Sequence, residues 1–148
     1  GTLDLGSGHS ITSLNAVDGF VAKLDAAGNA VGVVRLGGTG DQLAWGVALD
    51  DDDQVLVTGD FATQVDLGAG MLSASSGRDI FLARYDASLI YLWGQAFGGS
   101  SDAVHRGIAR GPSGQIHTTG WFAGTLDFGA GALDAGVDDD MFVARFAP

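Results

Sequence analysis

The chain has 148 residues, 46% of them hydrophobic, with no cysteine and a formal net charge of −11. That length supports one domain with a real core and is short for two, while the missing cysteines exclude disulfides, thiol catalysis and a cysteine-based zinc site. The acidic balance removes the basic footprint that a nucleic-acid binder needs and disfavours anionic membrane surfaces. Glycine is abundant, at 25 residues against two prolines, which suits many short strands joined by tight turns. No window carries a capped helical period, no apolar run reaches membrane-spanning length, and no signal peptide is present. Gly1 is not a natural start, so a leader is expected to have been removed or to lie outside this sequence.

In chain order the predicted segments are TLDLGSG (2–8), GFVAKLD (19–25), LGGTGD (36–41), WGVAL (45–49) and QVLVTGDF (54–61). They return as QVDLGAG (64–70), IFLARYD (80–86), FGGSSD (97–102), RGIAR (106–110) and QIHTTGWF (115–122). The chain then closes on TLDFGAG (125–131) and MFVARFA (141–147). The period is 61 residues, with one extra residue before Asp18 in the first copy. A repeat of this kind decides the architecture. One unit reads as four main strands, at 44–49, 55–61, 79–85 and 90–97. VDLGAG is read as a short extra segment in the long connection between the second and third. Turn signals such as Gly28-Asn29, Gly37-Gly38 and Gly111-Pro112-Ser113-Gly114 separate them.

The expected fold is therefore all-β, a β-propeller-like repeat of four-stranded antiparallel blades that does not close a ring in one chain. The units are a partial one over 1–43, a full blade over 44–97 and a partial blade over 105–148. Small residues on the first strand (Gly46 and Ala48, then Gly107 and Ala109) suit the crowded axis of such an array. Asp18, Asp79 and Asp140 hold one repeated position, and Lys23, Arg84 and Arg145 another. Each cation is expected to pair with a recurring acid, from that series or from Asp4, Asp66 and Asp127. Asp41 and Asp102 are expected to bond to backbone N–H groups of their own glycine turns.

The ordered string D-x-F-V-A-K-L-D-x-x-G-N, L-G-G-x-G-D, G-V-A-L-D, V-x-V-T-G resembles the bacterial seven-bladed β-propeller repeat. It is carried here by Asp18, Phe20, Val21, Ala22, Lys23, Leu24, Asp25, Gly28, Asn29, Gly37, Gly38, Gly40, Asp41, Gly46, Ala48, Thr58 and Gly59. The likeness runs through nearly the whole chain. It departs from the family at Gly32, which replaces the early fourth-strand tryptophan kept as Trp93, and at Leu89-Ile90, which replaces the Gly-Asn turn. The resemblance implies a non-catalytic structural or binding module of a secreted or cell-surface bacterial protein. About 2.4 units cannot close a seven-bladed ring. Either the chain is an excerpt of a longer polypeptide, or several copies assemble into a ring or filament. The implied partner is protein, as neighbouring blades or by self-association, with carbohydrate as an alternative; no nucleic acid and no membrane insertion are expected.

Few residues point to chemistry. His9, His105 and His117 have no metal spacing and read as surface or edge histidines. The runs GGTGD and GGSSD lack the lysine and helix of a phosphate loop and read as turns. Trp45 and Trp121 break the repeat, with Arg106 and Asp60 in their places in the other copy, so they read either as blade packing or as sugar-stacking platforms. The row Asp50, Asp51, Asp52 and Asp53 reads as a solvated acidic turn, or as a calcium site built on Asp50, Asp52 and Asp53; Asp138–Asp140 is a second acidic run of that kind. The row does not match the calcium-loop pattern, and Gly111-Pro112-Ser113-Gly114 replaces it one period later.

Overall fold

A computed structural model describes residues 1–14 and 17–147. The described chain is all-β, with strands β1 (Thr2–Asp4), β2 (Ser10–Thr12), β3 (Gly19–Leu24), β4 (Ala30–Leu36), β5 (Gln42–Leu49), β6 (Val55–Asp66) and β7 (Met71–Tyr85). It continues with β8 (Tyr91–Gly99), β9 (Ala103–Arg110), β10 (Ile116–Phe122), β11 (Thr125–Asp127), β12 (Ala132–Asp134) and β13 (Asp140–Phe146). Strands β5 to β8 form one complete antiparallel blade in sequence order. To one side lies the hairpin β3–β4, equivalent by repeat to the third and fourth strands of a blade. To the other lies the sheet β9–β10–β13, equivalent to the first three. Among the described residues no ring closes.

The connection over VDLGAG is not a separate segment. β6 and β7 remain paired beyond the blade proper, through a bulge between Ala62 and Gln64, to Asp66 opposite Met71. Thr63 takes up the bend at φ 74°. The resulting hairpin tip reaches back to the preceding blade, where Asp66 pairs with Gly37. One period later β11 pairs with β8, Asp127 opposite Gly98 and Leu126 opposite Gly99. Both described junctions between units are thus laced by the same joint.

That joint explains the paired glycines, which are strand ends at a junction rather than turns alone. A Cβ on Gly37 would lie 2.9 Å from the Asp18 carboxylate, and one on Gly98 would run into that of Asp79. A Cβ on Gly38 or Gly99 would meet the incoming backbone of Gln64 or Thr125. The first glycine makes room for the acid of its own blade, the second for the main chain of the next.

Two apolar layers hold the stack. Val21, Leu36, Val57, Phe61, Phe81, Tyr85 and Leu89 fill the space between β3–β4 and the full blade. Leu56, Ile80, Leu82, Ile116, Phe122 and Phe142 fill the space between the full blade and β9–β10–β13. Alternate residues of β6 and β7 enter opposite layers, which is why these strands are apolar on both faces. Each such large side chain contributes about 1.5–3 kcal/mol relative to exposure.

All 18 acids are aspartate, and the turns give a reason. The carboxylates of Asp25, Asp50, Asp66, Asp86 and Asp127 each accept from the backbone N–H groups two and four residues on, at 2.7–3.2 Å. A short side chain makes this local bridge and leaves the chain turned for a hairpin. Asp86 makes it even where Leu89 replaces the turn glycine, so Leu89 is held at φ 63°, where Gly28 sits at 86°.

The acids at the start of the third strand also act locally. Asp18 accepts from Leu14 N–H and Asp79 from Ser75 N–H and Oγ, each reaching back four residues. The cations do not pair with them as expected. Arg84 pairs with Asp50, and Lys23 donates to the Ala87 carbonyl at 2.6 Å. The reason is geometric. On an antiparallel pair Arg84 stands opposite Leu56, near the turn that Asp50 opens, whereas Asp79 lies at the far end of the same strand. One period later Asp50 is replaced by Gly111, and Arg145 has no such acid to meet. Asp102 likewise bonds outside its own turn, accepting from Arg78 N–H at 2.8 Å on the preceding blade. In the first copy the turn is tied by Gln42, whose Nε2 donates to the Thr39, Gly40 and Gln64 carbonyls.

Candidate functional site

Innermost strands β5 and β9 each carry one bulge. Ala44 pairs with Gly59 and Gly46 with Thr58, which leaves Trp45 as the extra residue. His105 pairs with Gly120 and Gly107 with Thr119, which leaves Arg106 as the extra one. The two positions are one period apart. A bulge re-aims its side chain out of the alternation of the strand, and here both side chains stay at the surface: Trp45 is 47% exposed, and Arg106 is exposed. They meet, with the Arg106 guanidinium 5.1 Å above the Trp45 ring, a cation–π stack.

Beneath the stack lies a buried charge. Asp60 on β6 is wholly inaccessible. It accepts from the Trp45 indole N–H and from Arg78 Nε at 2.6 Å, with Arg78 Nη2 also 2.6 Å away. Burial pushes the Asp60 carboxyl above the usual carboxylate range, against the pull of Trp45, Arg78 and, more weakly, Arg106. Asp60 therefore anchors the indole, Arg78 neutralises Asp60, and Arg106 from the next blade closes over the top. Trp121, the repeat counterpart of Asp60, does not join this cluster. It is half-buried on the outer face of β10.

The acidic row makes structural bonds with its first two members. Asp50 accepts from Asp52 and Gln54 N–H as well as Arg84. Burial raises its carboxyl, but the Arg84 and backbone hydrogen bonds outweigh that and hold it below the usual range. Asp51 takes Arg110 of the next blade in a two-pronged pair at 2.8 and 2.5 Å. Asp52 and Asp53 face solvent, with Asp53 in the turn at φ 57°. Among the described residues no group of three or more metal-ligating side chains is placed to hold an ion, Asp138–Asp140 included.

His105 lies on β9, an edge strand of its sheet, but is not at the surface. It is 2% exposed, its ring set edge-on to Phe142 at 5.9 Å, and burial lowers its pKa from 6.5 to about 4. The unfolded chain then takes up the proton first. Stability is expected to fall by up to roughly 3 kcal/mol as pH drops from near 6.5 to near 4. Denaturant titrations of the protein and of His105→Leu over that range check this. The variant should lose the dependence, and two parallel curves would assign it to other groups.

One complete four-stranded blade, flanked by parts of two more that follow the same pattern and are joined edge to edge, defines the fold as a β-propeller-like repeat. No family model matches it. The chain is 26% identical over 157 aligned residues to an uncharacterized WD repeat-containing protein of Acanthamoeba polyphaga mimivirus, an alignment that covers 93% of this chain and 11% of that protein. It thus spans about a tenth of the relative's length. The likeness supports a propeller repeat and does not reach the bacterial family named above. The period of 61 exceeds the roughly 40–45 residues of a WD blade, and the hairpin extension over 62–78 accounts for the excess.

Proposed function

We propose that the chain is a non-catalytic binding module in which rigid blades present changeable side chains along the innermost strand, with a protein partner recognised at the Trp45–Arg106 stack. One observation carries this reading: the framework repeats the bulge at 45 and 106 but changes its residue, so backbone geometry is constant while the displayed chemistry varies. Tryptophan and arginine are also the residues most enriched at binding hot spots. Asp60 does not supply an acid catalyst, because Arg78 and Trp45 hold it beneath the surface. Among the described residues no helix is long and apolar enough to cross a membrane. The acidic surface, together with the motifs shared with secreted bacterial propellers, supports a location outside the cell or on its surface.

A peptide-library selection on the immobilised chain tests the site. Selected peptides should bind Trp45→Ala plus Arg106→Ala at least tenfold more weakly, and Asp52→Asn plus Asp53→Asn equally well. Peptides indifferent to the first pair would overturn the site. Turnover of aryl glycosides or esters that Asp60→Asn abolishes would overturn the non-catalytic reading.

A further inference from the structure

Arg35, Arg78, Arg84 and Arg110 each hold an aspartate. Arg106 holds none among the described residues and lies over the Trp45 ring instead, 5.1 Å from its centre. Below the ring Asp60 is wholly buried and already balanced by Arg78. The four-residue cluster therefore carries one uncompensated positive charge on a chain of net −11. A guanidinium has five N–H donors in one rigid plane, and a ring takes up a face or an edge of it. The other donors stay at the surface, because Arg106 is exposed. Trp45, Asp60 and Arg78 belong to one unit and Arg106 to the next, so the arrangement is internal to the described chain.

We infer that the stack takes a carboxylate of its protein partner, an Asp or Glu side chain or a free C-terminus, on the Arg106 guanidinium. The inference rests on the reading of the stack as a protein-binding site. Arg110, further along β9, shows the contact within the molecule: it takes both oxygens of Asp51 at 2.8 and 2.5 Å, the two-pronged pairing that the planar fork favours. Trp45 sets where the carboxylate lands. Its indole N–H is held by Asp60, so the ring is fixed, and an arginine lying on it has less freedom to lose when the acid arrives. Charge selects against larger anions. A phosphate group of nearly two charges, or a polyanion, would meet one uncompensated cation and the repulsion of a chain at −11. A sugar acid is the weaker fit, because Arg106 already covers a face of the indole on which a sugar ring would stack.

Peptides selected on the immobilised chain test this. Each should carry Asp or Glu, or need an unblocked C-terminus. Replacing the side-chain acid by its amide in one arm, and amidating the C-terminus in the other, tells the two sources apart. Loss of the acid should weaken binding to the unaltered chain at least about tenfold. The same loss should weaken binding to Arg106→Gln less than about twofold, a coupling that a merely structural arginine would not show. Arg106 is exposed, so Arg106→Gln should fold as the unaltered chain does. Added salt should weaken the acidic peptides more steeply on the unaltered chain than on Arg106→Gln. Peptides that need Trp45 and Arg106 but no acid, or whose acid matters as much to Arg106→Gln, would overturn the carboxylate and leave the protein-binding site standing. Peptides indifferent to both residues would overturn the site itself, and the inference with it. Galacturonate oligomers that bind through Arg106 where no peptide does would overturn the peptide in favour of a carbohydrate.

Discussion

Arg78→Ala should destabilise the fold by about 3–5 kcal/mol, the usual effect of stripping one partner from a buried ion pair. Asp60 has no accessible surface, and Arg78 reaches it with two nitrogens at 2.6 Å. Without Arg78 the carboxylate keeps only the Trp45 N–H in a position that water cannot reach. For a domain whose total stability is about 5–15 kcal/mol this is a large fraction. Urea unfolding should show a lower midpoint with an unchanged slope. The double variant Asp60→Leu plus Arg78→Met should lie much closer to the parent, because apolar replacements of both partners leave no charge stranded. The pH dependence has a definite sign. Burial already places the folded Asp60 pKa above the unfolded value, and loss of Arg78 raises it further. Arg78→Ala should therefore regain stability as pH falls through that raised value, opposite to the trend from His105. A variant that loses less than about 1 kcal/mol would rank this pair with surface salt bridges.

The period exposed the blades because every unit must bury the same two faces, and so must repeat its apolar residues. Other features were hidden for physical reasons. The extension of β6 and β7 past Ala62 reads in sequence as a separate segment because its pairing bends through Thr63, and nothing in the local propensity of Ala-Thr-Gln marks a bulge. The glycine pairs looked like turns because their reason lies in another strand. Gly37 and Gly98 accommodate carboxylates 19 residues earlier in sequence, and Gly38 and Gly99 accommodate the next unit. Repetition does not point to the Arg84–Asp50 pair, because Gly111 stands one period after Asp50.

For the site the useful signal was the opposite of repetition. Trp45 and Trp121 stand out because Arg106 and Asp60 replace them one period away, but nothing in the pattern marks three of these four residues as touching. Folding brings Trp45 and Arg106 together because adjacent blades place equivalent positions side by side. It brings Asp60 under Trp45 because β6 is the ladder neighbour of β5. In a tandem repeat, departures on adjacent units at equivalent or cross-strand positions are spatial neighbours. Trp121 fails that rule because no described strand packs on the outer face of β10.

Gly59→Ala should cost at least about 3 kcal/mol, at the severe end of overpacking, and prevent recovery of a well-folded protein. A Cβ on Gly59 would enter the Leu43 carbonyl oxygen and lie 2.7 Å from two atoms of the Phe81 ring, which lies across the glycine. The counterpart Gly120 repeats this arrangement with the Val104 carbonyl and the Phe142 ring at 2.8 Å, so it belongs to the blade framework rather than to one loose spot. Two variants separate its causes. Phe81→Leu in the Gly59→Ala background removes the ring but leaves the Leu43 carbonyl, so recovery should be small. Gly107→Ala, whose Cβ meets only Thr119 at 3.4 Å, should be close to neutral. Position in the stack then sets how far the damage spreads. Gly59 lies in the blade that both cores pack against, so its loss should remove all structure in one transition. Gly120 lies in a sheet supported on one side, and Gly120→Ala should melt β9–β10–β13 before the rest, as stacked repeats do when an end unit is weakened. Hydrogen exchange on the two variants checks this difference directly. Equal, global loss of protection in both would mean that the three units fold as one indivisible body.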